Sequence, residues 1–190
     1  MASRSGNQER HNRRGIGRNY WMFAESPENF AVIREMGVTL FGMGRRFRRR
    51  AERMSPNDRV LFYVKGIRKW PASATIISEC FEDDSEVFVS HDSRERFPFR
   101  VRLRPNIVLD EQDYIDAMQL APRLDYVRRW EPKDWPLAFF DRLHLLPQKD
   151  FRLIEGEMER IARNNRRGSR PQQDEPAVAA SSPGDDSASD

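Results

Sequence analysis

Between Arg96 and Arg104 apolar and cationic side chains alternate. Phe97, Phe99, Val101 and Leu103 fall on one parity, and Arg96, Arg100, Arg102 and Arg104 on the other. Successive side chains of a strand point to opposite faces. The run therefore predicts a strand with one face on a core and the other presenting a row of guanidinium groups. Pro105 is expected to end it, because proline cannot donate to a ladder.

Other segments are read by the same local rules. Tyr20 to Ala24 is a short aromatic and apolar run, the pattern of a buried strand. Ser26-Pro27-Glu28-Asn29 follows, with serine suited to an N-cap, proline to the first helical position and glutamate to the positive end of the helix dipole. A helix of roughly ten residues is predicted there, with Phe30 and Ile33 on its apolar face and Gly37 as its stop. Val38–Gly42 reads as a strand. Phe47, Ala51 and Met54 recur at helical spacing. Arg59–Lys65 is an almost continuous apolar run, as in a strand covered on both faces. Ala72–Phe81 and Leu137–Phe140 are further strand candidates. Pro147 opens a last helix whose buried stripe is Phe151, Ile154, Met158 and Ile161. Short strands mixed with short helices, without regular alternation, indicate an α+β domain in which helices surround a small curved sheet or barrel.

The 190 residues suffice for one core, and the hydrophobic share of 38% falls below the ~45–50% of ordinary globular chains. Both ends account for the shortfall. Residues 1–18 are polar and arginine-rich, and are expected to be a disordered basic arm. Residues 164–190 are expected to be a disordered tail, leaving 19–163 as the folded domain. From 171 onward the tail carries five acidic residues and no basic one. The apolar runs are too short for a membrane helix, and the N-terminus lacks the apolar segment of a secretory signal. A lone cysteine, Cys80, excludes an internal disulfide and a cysteine-based zinc site. A soluble, reducing compartment is expected, most simply the cytoplasm, with a monomer as the default state and no metal or cofactor.

Catalytic signatures are missing. There is no phosphate-binding glycine loop, no nucleophile elbow, no H-E-x-x-H and no deaminase pattern. Asp83-Asp84 is a solvated pair by its setting, and His144 among leucines reads as a packed histidine. The charge pattern is more informative. Residues 44–53 hold six arginines against one glutamate, a balance of +5. Arginine's planar fork matches phosphate oxygens, so this run is a candidate phosphate-binding ridge, the alternative being a solvated helix face. The same two readings stay open for Arg100, Arg102 and Arg104. Tyr20, Trp21, Tyr63, Trp70, Phe99, Trp130, Trp135 and Phe139 are many rings for a small domain. Most must be core, but stacking on rings is also how unpaired bases are held.

The order of these blocks resembles the EVE domain family of the PUA-like superfamily. The resemblance is carried by Tyr20-Trp21 with Ser26-Pro27-Glu28-Asn29-Phe30, by Gly37-Val38 through Arg50-Ala51-Glu52-Arg53-Met54, by Pro56-Asn57-Asp58-Arg59-Val60 with Phe62-Tyr63, by Phe97-Pro98-Phe99-Arg100-Val101, and by Leu137-Ala138-Phe139 to Asp150-Phe151. It covers roughly Asn19 to Ile161. It implies a PUA-like curved β-barrel with surrounding short helices, and binding of DNA or RNA carrying a modified base, as in the related YTH domains. Carried over to this chain, it implies Trp21 and Tyr63 as pocket walls, with Trp70 and Phe99 as further wall candidates. Ser26, Pro27 and the neighbouring backbone would supply polar contacts, and Arg45, Arg46, Arg49 and Arg100 would meet phosphates. The expected function is non-catalytic recognition of a base such as a methylated or hydroxymethylated cytosine. The alternative is a PUA-like enzyme acting on RNA or a modified nucleoside.

Overall fold

Among the described residues, eight strands cross the domain: β1 (Tyr20–Glu25), β2 (Leu40–Met43), β3 (Arg59–Val64), β4 (Lys69–Ile76), β5 (Phe81–Glu82), β6 (Phe99–Val108), β7 (Ile115–Asp116) and β8 (Leu143–Leu145). Four α-helices accompany them: α1 (Pro27–Glu35), α2 (Arg48–Ala51), α3 (Ala117–Leu120) and α4 (Gln148–Gly168). The computed structural model describes residues 17–89 and 96–168. The basic arm up to residue 16 and the tail beyond 168 lie outside the described residues. Among the described residues, no helix is long and apolar enough to cross a membrane.

The strands form one mixed sheet in the order β2-β6-β4-β3-β1-β8, with β5 added to β6 and β7 to β4. β1 and β3 run parallel, Tyr20 opposite Arg59 through Glu25 opposite Val64. A parallel pair needs a long crossover, and α1, β2 and α2 occupy it. The sheet curls. Phe23 of β1 stacks on Phe41 of β2 with ring centroids 3.9 Å apart, although three strands separate β1 from β2 in the hydrogen-bonded order. The result is a half-barrel filled by Trp21, Phe23, Phe41, Phe62, Val101 and Leu103. Its other face, with Met22, Leu61, Tyr63 and Trp70, is covered by Leu120, Phe139, Phe151, Ile154 and Met158.

Local rules account for much of this. Ser26 caps α1, its Oγ accepting from the Asn29 N–H at 3.2 Å, and Gly37 leaves the helix with φ of +68°. Phe47, Ala51 and Met54 are buried as their spacing predicts, on a 3₁₀ turn (Arg45–Phe47) that runs into α2.

Several expectations are corrected. Pro105 does not end β6. It lies opposite Ala74, where the β4–β6 register shifts, and an irregularity is where a strand tolerates proline. β4 runs from Lys69 to Ile76 rather than from Ala72 to Phe81, and Phe81 belongs to the separate β5. Leu137–Phe140 is no strand; residues 135–139 form a 3₁₀ helix that starts beside Pro136. The last helix continues to Gly168, through five residues assigned to the tail. Arg100 leaves the guanidinium row: it is 2% exposed, whereas Arg102 and Arg104 are exposed. β5 pairs across from it, and the following loop closes over its side chain. Asp83 Oδ2 accepts from its Nη1 at 2.7 Å and Ser85 Oγ at 2.8 Å, while the Ser85 and Phe97 carbonyls accept from its other nitrogens.

Candidate nucleic-acid interface

Trp21 and Ser26 do not share a pocket. They stand near opposite ends of β1, five residues apart, or roughly 16 Å at ~3.3 Å per residue. Trp21 is 3% exposed and its indole N–H donates to Asp58 Oδ2 at 2.9 Å. Ser26 sits where β1 gives way to α1, and Pro27 packs beneath Gly66 of the β3–β4 turn, where an added Cβ would meet its ring at 3.0 Å. Tyr63 and Trp70 do come together, with ring centroids 5.8 Å apart, but both are buried behind the sheet with Phe139. Burial pushes the Tyr63 hydroxyl up to about 12. Trp70 reaches that face through a one-residue register shift between β3 and β4, since a slip of one residue reverses a side chain's face. Phe99 lies inside the half-barrel, with the Arg48 guanidinium 5.6 Å from its ring centroid. Tyr63, Trp70 and Phe99 are therefore core residues here, and the wall assignment implied for them is corrected.

The end of β1 holds a polar cluster that sequence reasoning missed. Glu25, Asn29 and Arg142 are all buried. Arg142 forms an ion pair with Glu25 and donates from Nη2 to the Gly42 carbonyl at 3.0 Å. Its guanidinium lies 4.2 Å from the Phe97 ring centroid and 5.4 Å from that of Phe41. Asn29 holds the Val89 backbone at both groups, its Nδ2 donating to the carbonyl at 3.0 Å and its Oδ1 accepting from the N–H at 2.8 Å. Lys65 adjoins just past the end of β3, its N–H donating to the Glu25 carbonyl at 2.9 Å.

Charge and burial compete at this cluster. Burial raises the Glu25 carboxyl to about 7, with Arg142 and Lys65 pulling the other way. A carboxyl in that range can donate or accept a hydrogen bond near neutral pH. Burial also lowers the Lys65 ammonium, and the nearby Arg142 and Arg46 charges add to that effect. The buried carboxyl, amide and guanidinium of Glu25, Asn29 and Arg142 give the end of β1 donors and acceptors suited to the edge of a planar polar ligand.

The arginine segment leads away from this cluster. Arg45, Arg46 and Arg49 are exposed. Arg48 pairs with Glu52 at 2.8 Å and Arg50 with Asp141 at 2.5 Å. Arg45, Arg46, Arg49 and Arg53 make no ion pair among the described residues, and Arg46 rests 4.6 Å from the Phe47 ring centroid. Anchored underneath by Phe47 and Ala51, the segment presents several unneutralised guanidinium groups close to the Glu25 cluster. Arg100 cannot join them, because its donors are spent inside the protein.

A family model described as EVE domain matches residues 19–135. A UPF0310 protein of Pyrococcus abyssi is 29% identical over 145 residues, covering 72% of this chain and 96% of that protein. Among solved structures, the Pho92 YTH domain in complex with m6A superposes with a TM-score of 0.53 at 12% identity, covering 75% of this chain and 84% of that one. Human THYN1 in complex with 5-methylcytosine-containing DNA gives 0.51 at 13% identity, covering 73% and 97%. The curled sheet described above is the PUA-like fold that these structures share.

Proposed function

Since the chain belongs to the EVE domain family, we propose that it binds a nucleic-acid strand and recognises a modified base at the carboxyl end of β1, without doing chemistry on that base. One observation carries the reading: the buried Glu25–Arg142–Asn29 cluster lies where the exposed arginines of residues 45–49 begin. The cluster supplies directional hydrogen bonds for a base edge. Arg45, Arg46 and Arg49 supply phosphate contacts, which give affinity without sequence information. The fold's likeness to a YTH domain solved with m6A and to THYN1 solved with 5-methylcytosine DNA supports a modified base as the ligand class.

The energetics set limits. A single methyl group filling apolar volume discriminates by only ~1–3 kcal/mol, so the modification sharpens a contact made mainly by the base edge and the phosphates. Taking a base out of a duplex costs a few kcal/mol, which favours flipped-out or single-stranded targets.

The test is equilibrium binding of the whole chain to matched single-stranded and duplex oligonucleotides, plain or carrying 5-methylcytosine, 5-hydroxymethylcytosine or N6-methyladenine, at two salt concentrations. The expected result is salt-sensitive binding with a preference for one modified strand, and loss of that preference in Asn29→Ala. Equal affinity for every modified and plain strand would overturn the reading of a modified base. Absence of binding to any strand would overturn nucleic-acid binding itself.

A further inference from the structure

A pocket of about 500 Å³, separate from the Glu25 cluster, lies beside the arginine segment. Trp21, Tyr126 and His144 line it together with Arg50, Arg53 and Phe140. Trp21 and Glu25 occupy opposite ends of β1, roughly 13 Å apart at ~3.3 Å per residue, so one base cannot fill both places.

The inner wall of this pocket is aromatic and uncharged. The His144 Nε2–H donates to the Asp141 carbonyl at 2.7 Å. Its Nδ1 therefore accepts from the Tyr126 hydroxyl at 2.9 Å. Both ring nitrogens are engaged, and burial lowers the histidine's affinity for a proton. That leaves a neutral ring fixed in one tautomer, a wall rather than an acid or base.

The rim has a different character. Phe140 is 78% exposed, with Leu137 and Leu145 about half exposed nearby. Arg50 is held by Asp141 and by the Leu143 carbonyl at 3.1 Å. Arg53 is exposed and makes no ion pair among the described residues. A bare phenyl face next to an uncommitted guanidinium, over an aromatic cavity, is the arrangement that holds an unpaired base by stacking while its phosphate meets a cation. The two arginines outweigh Asp141, so the rim favours an anionic ligand.

We infer that this pocket is a second nucleotide subsite. It takes an unmodified, unpaired nucleotide of the bound strand, with the base stacked on Phe140 and the phosphate on Arg53. The inference rests on the reading that the chain binds nucleic acid. It adds that single strands are preferred over duplex irrespective of modification, because a paired base cannot reach the Phe140 face.

Fluorescence anisotropy of the whole chain tests this with a short fluorescein-labelled oligothymidylate, its matched duplex, and a plain and modified pair. Phe140→Ala removes an exposed ring and leaves the core intact. It is expected to weaken binding to the oligothymidylate ~5-fold or more, the lower end of what stacking one base contributes. The ratio of modified to plain affinity should stay unchanged, and Arg53→Ala should weaken the same binding. Wild-type affinity for the oligothymidylate in both variants, while the wild type still binds nucleic acid, would overturn the subsite and leave the proposed function standing. No binding by the wild type to any strand would remove both. If sedimentation shows a dimer that Phe140→Ala converts to a monomer with strand affinity intact, the ring is a self-association surface and the subsite is overturned.

Discussion

Trp21 and Asp58 form a buried hydrogen bond, the indole N–H donating to Oδ2 across 2.9 Å. The same carboxylate accepts from the backbone N–H groups of Asn19 at 2.9 Å and Ser55 at 3.2 Å. The Asn19 side chain adds a further bond at 3.2 Å. One acid thus ties the chain entering β1 to the turn leading into β3. Asp58→Ala strands several of these donors at once and is expected to lower stability by ~3 kcal/mol or more, read as the urea midpoint. Trp21→Phe removes one charge-assisted bond and is expected to cost ~1–3 kcal/mol. The modified-to-plain binding ratio of Trp21→Phe should not change. If that ratio collapsed while stability held, Trp21 would be a base wall after all.

The arginine segment predicts a split in salt dependence. Arg45→Ala, Arg46→Ala and Arg49→Ala should each weaken binding and flatten the plot of log affinity against log salt, by about 0.7–0.9 per lost phosphate contact. Arg48→Ala should do less, because its guanidinium is already held by Glu52 at 2.8 Å. Salt titrations of the four variants make the comparison. An equal effect from Arg48 would show that the segment acts as a diffuse positive patch rather than through individual contacts.

What was legible in the sequence follows the range of the interactions. The Ser26 cap, the Phe47/Ala51/Met54 stripe and the Phe151/Ile154/Met158 stripe depend on neighbours within a few turns, and the residues alone indicate them. The exposed arginines at 45, 46 and 49 follow from the same helical pattern. Arg100 was hidden because a two-residue strand and a loop from elsewhere in the chain cover it. Trp70's face depends on a register shift between β3 and β4, which no periodicity reveals. Glu25 and Arg142 meet only because β8 pairs beside β1, bringing together residues far apart in the chain. Leu137–Phe140 shows a different limit, since a short apolar run without alternation fits a strand or a helical turn equally well.

Arg100 and its neighbours on β6 should separate sharply in stability. Arg100 is 2% exposed and pairs with Asp83 at 2.7 Å, so Arg100→Ala leaves the loop at Asp83–Ser85 without the group that closes it. Removing one member of such a buried network costs ~3–5 kcal/mol; with Asp83 itself partly exposed, the lower end is expected. Arg102→Ala and Arg104→Ala, at exposed positions, should stay within about 0.5 kcal/mol of wild type. Thermal or urea unfolding of the three variants checks this. Arg100→Ala as stable as the other two would mean that the loop is held by other contacts.

Glu25 gives the fold a pH dependence of unusual sign for a carboxylate. Burial raises its folded value to about 7, against 4.5 for the free group. The folded state therefore favours the protonated form. Its contribution is fully present below the unfolded value and is lost as pH rises through about 7. The change corresponds to about 3 kcal/mol, lost between pH 4.5 and 7. His144 works in the opposite sense, because burial lowers its proton affinity; its contribution is lost as pH falls below 6.5. The wild-type profile sums the two, so the informative quantity is the difference between wild type and Glu25→Gln. The glutamine variant should be close to wild type at pH 5 and gain on it up to pH 8, read from urea midpoints at unit steps. A constant difference across that range would mean that Arg142 holds Glu25 ionised throughout and that the ion pair, not desolvation, governs the end of β1.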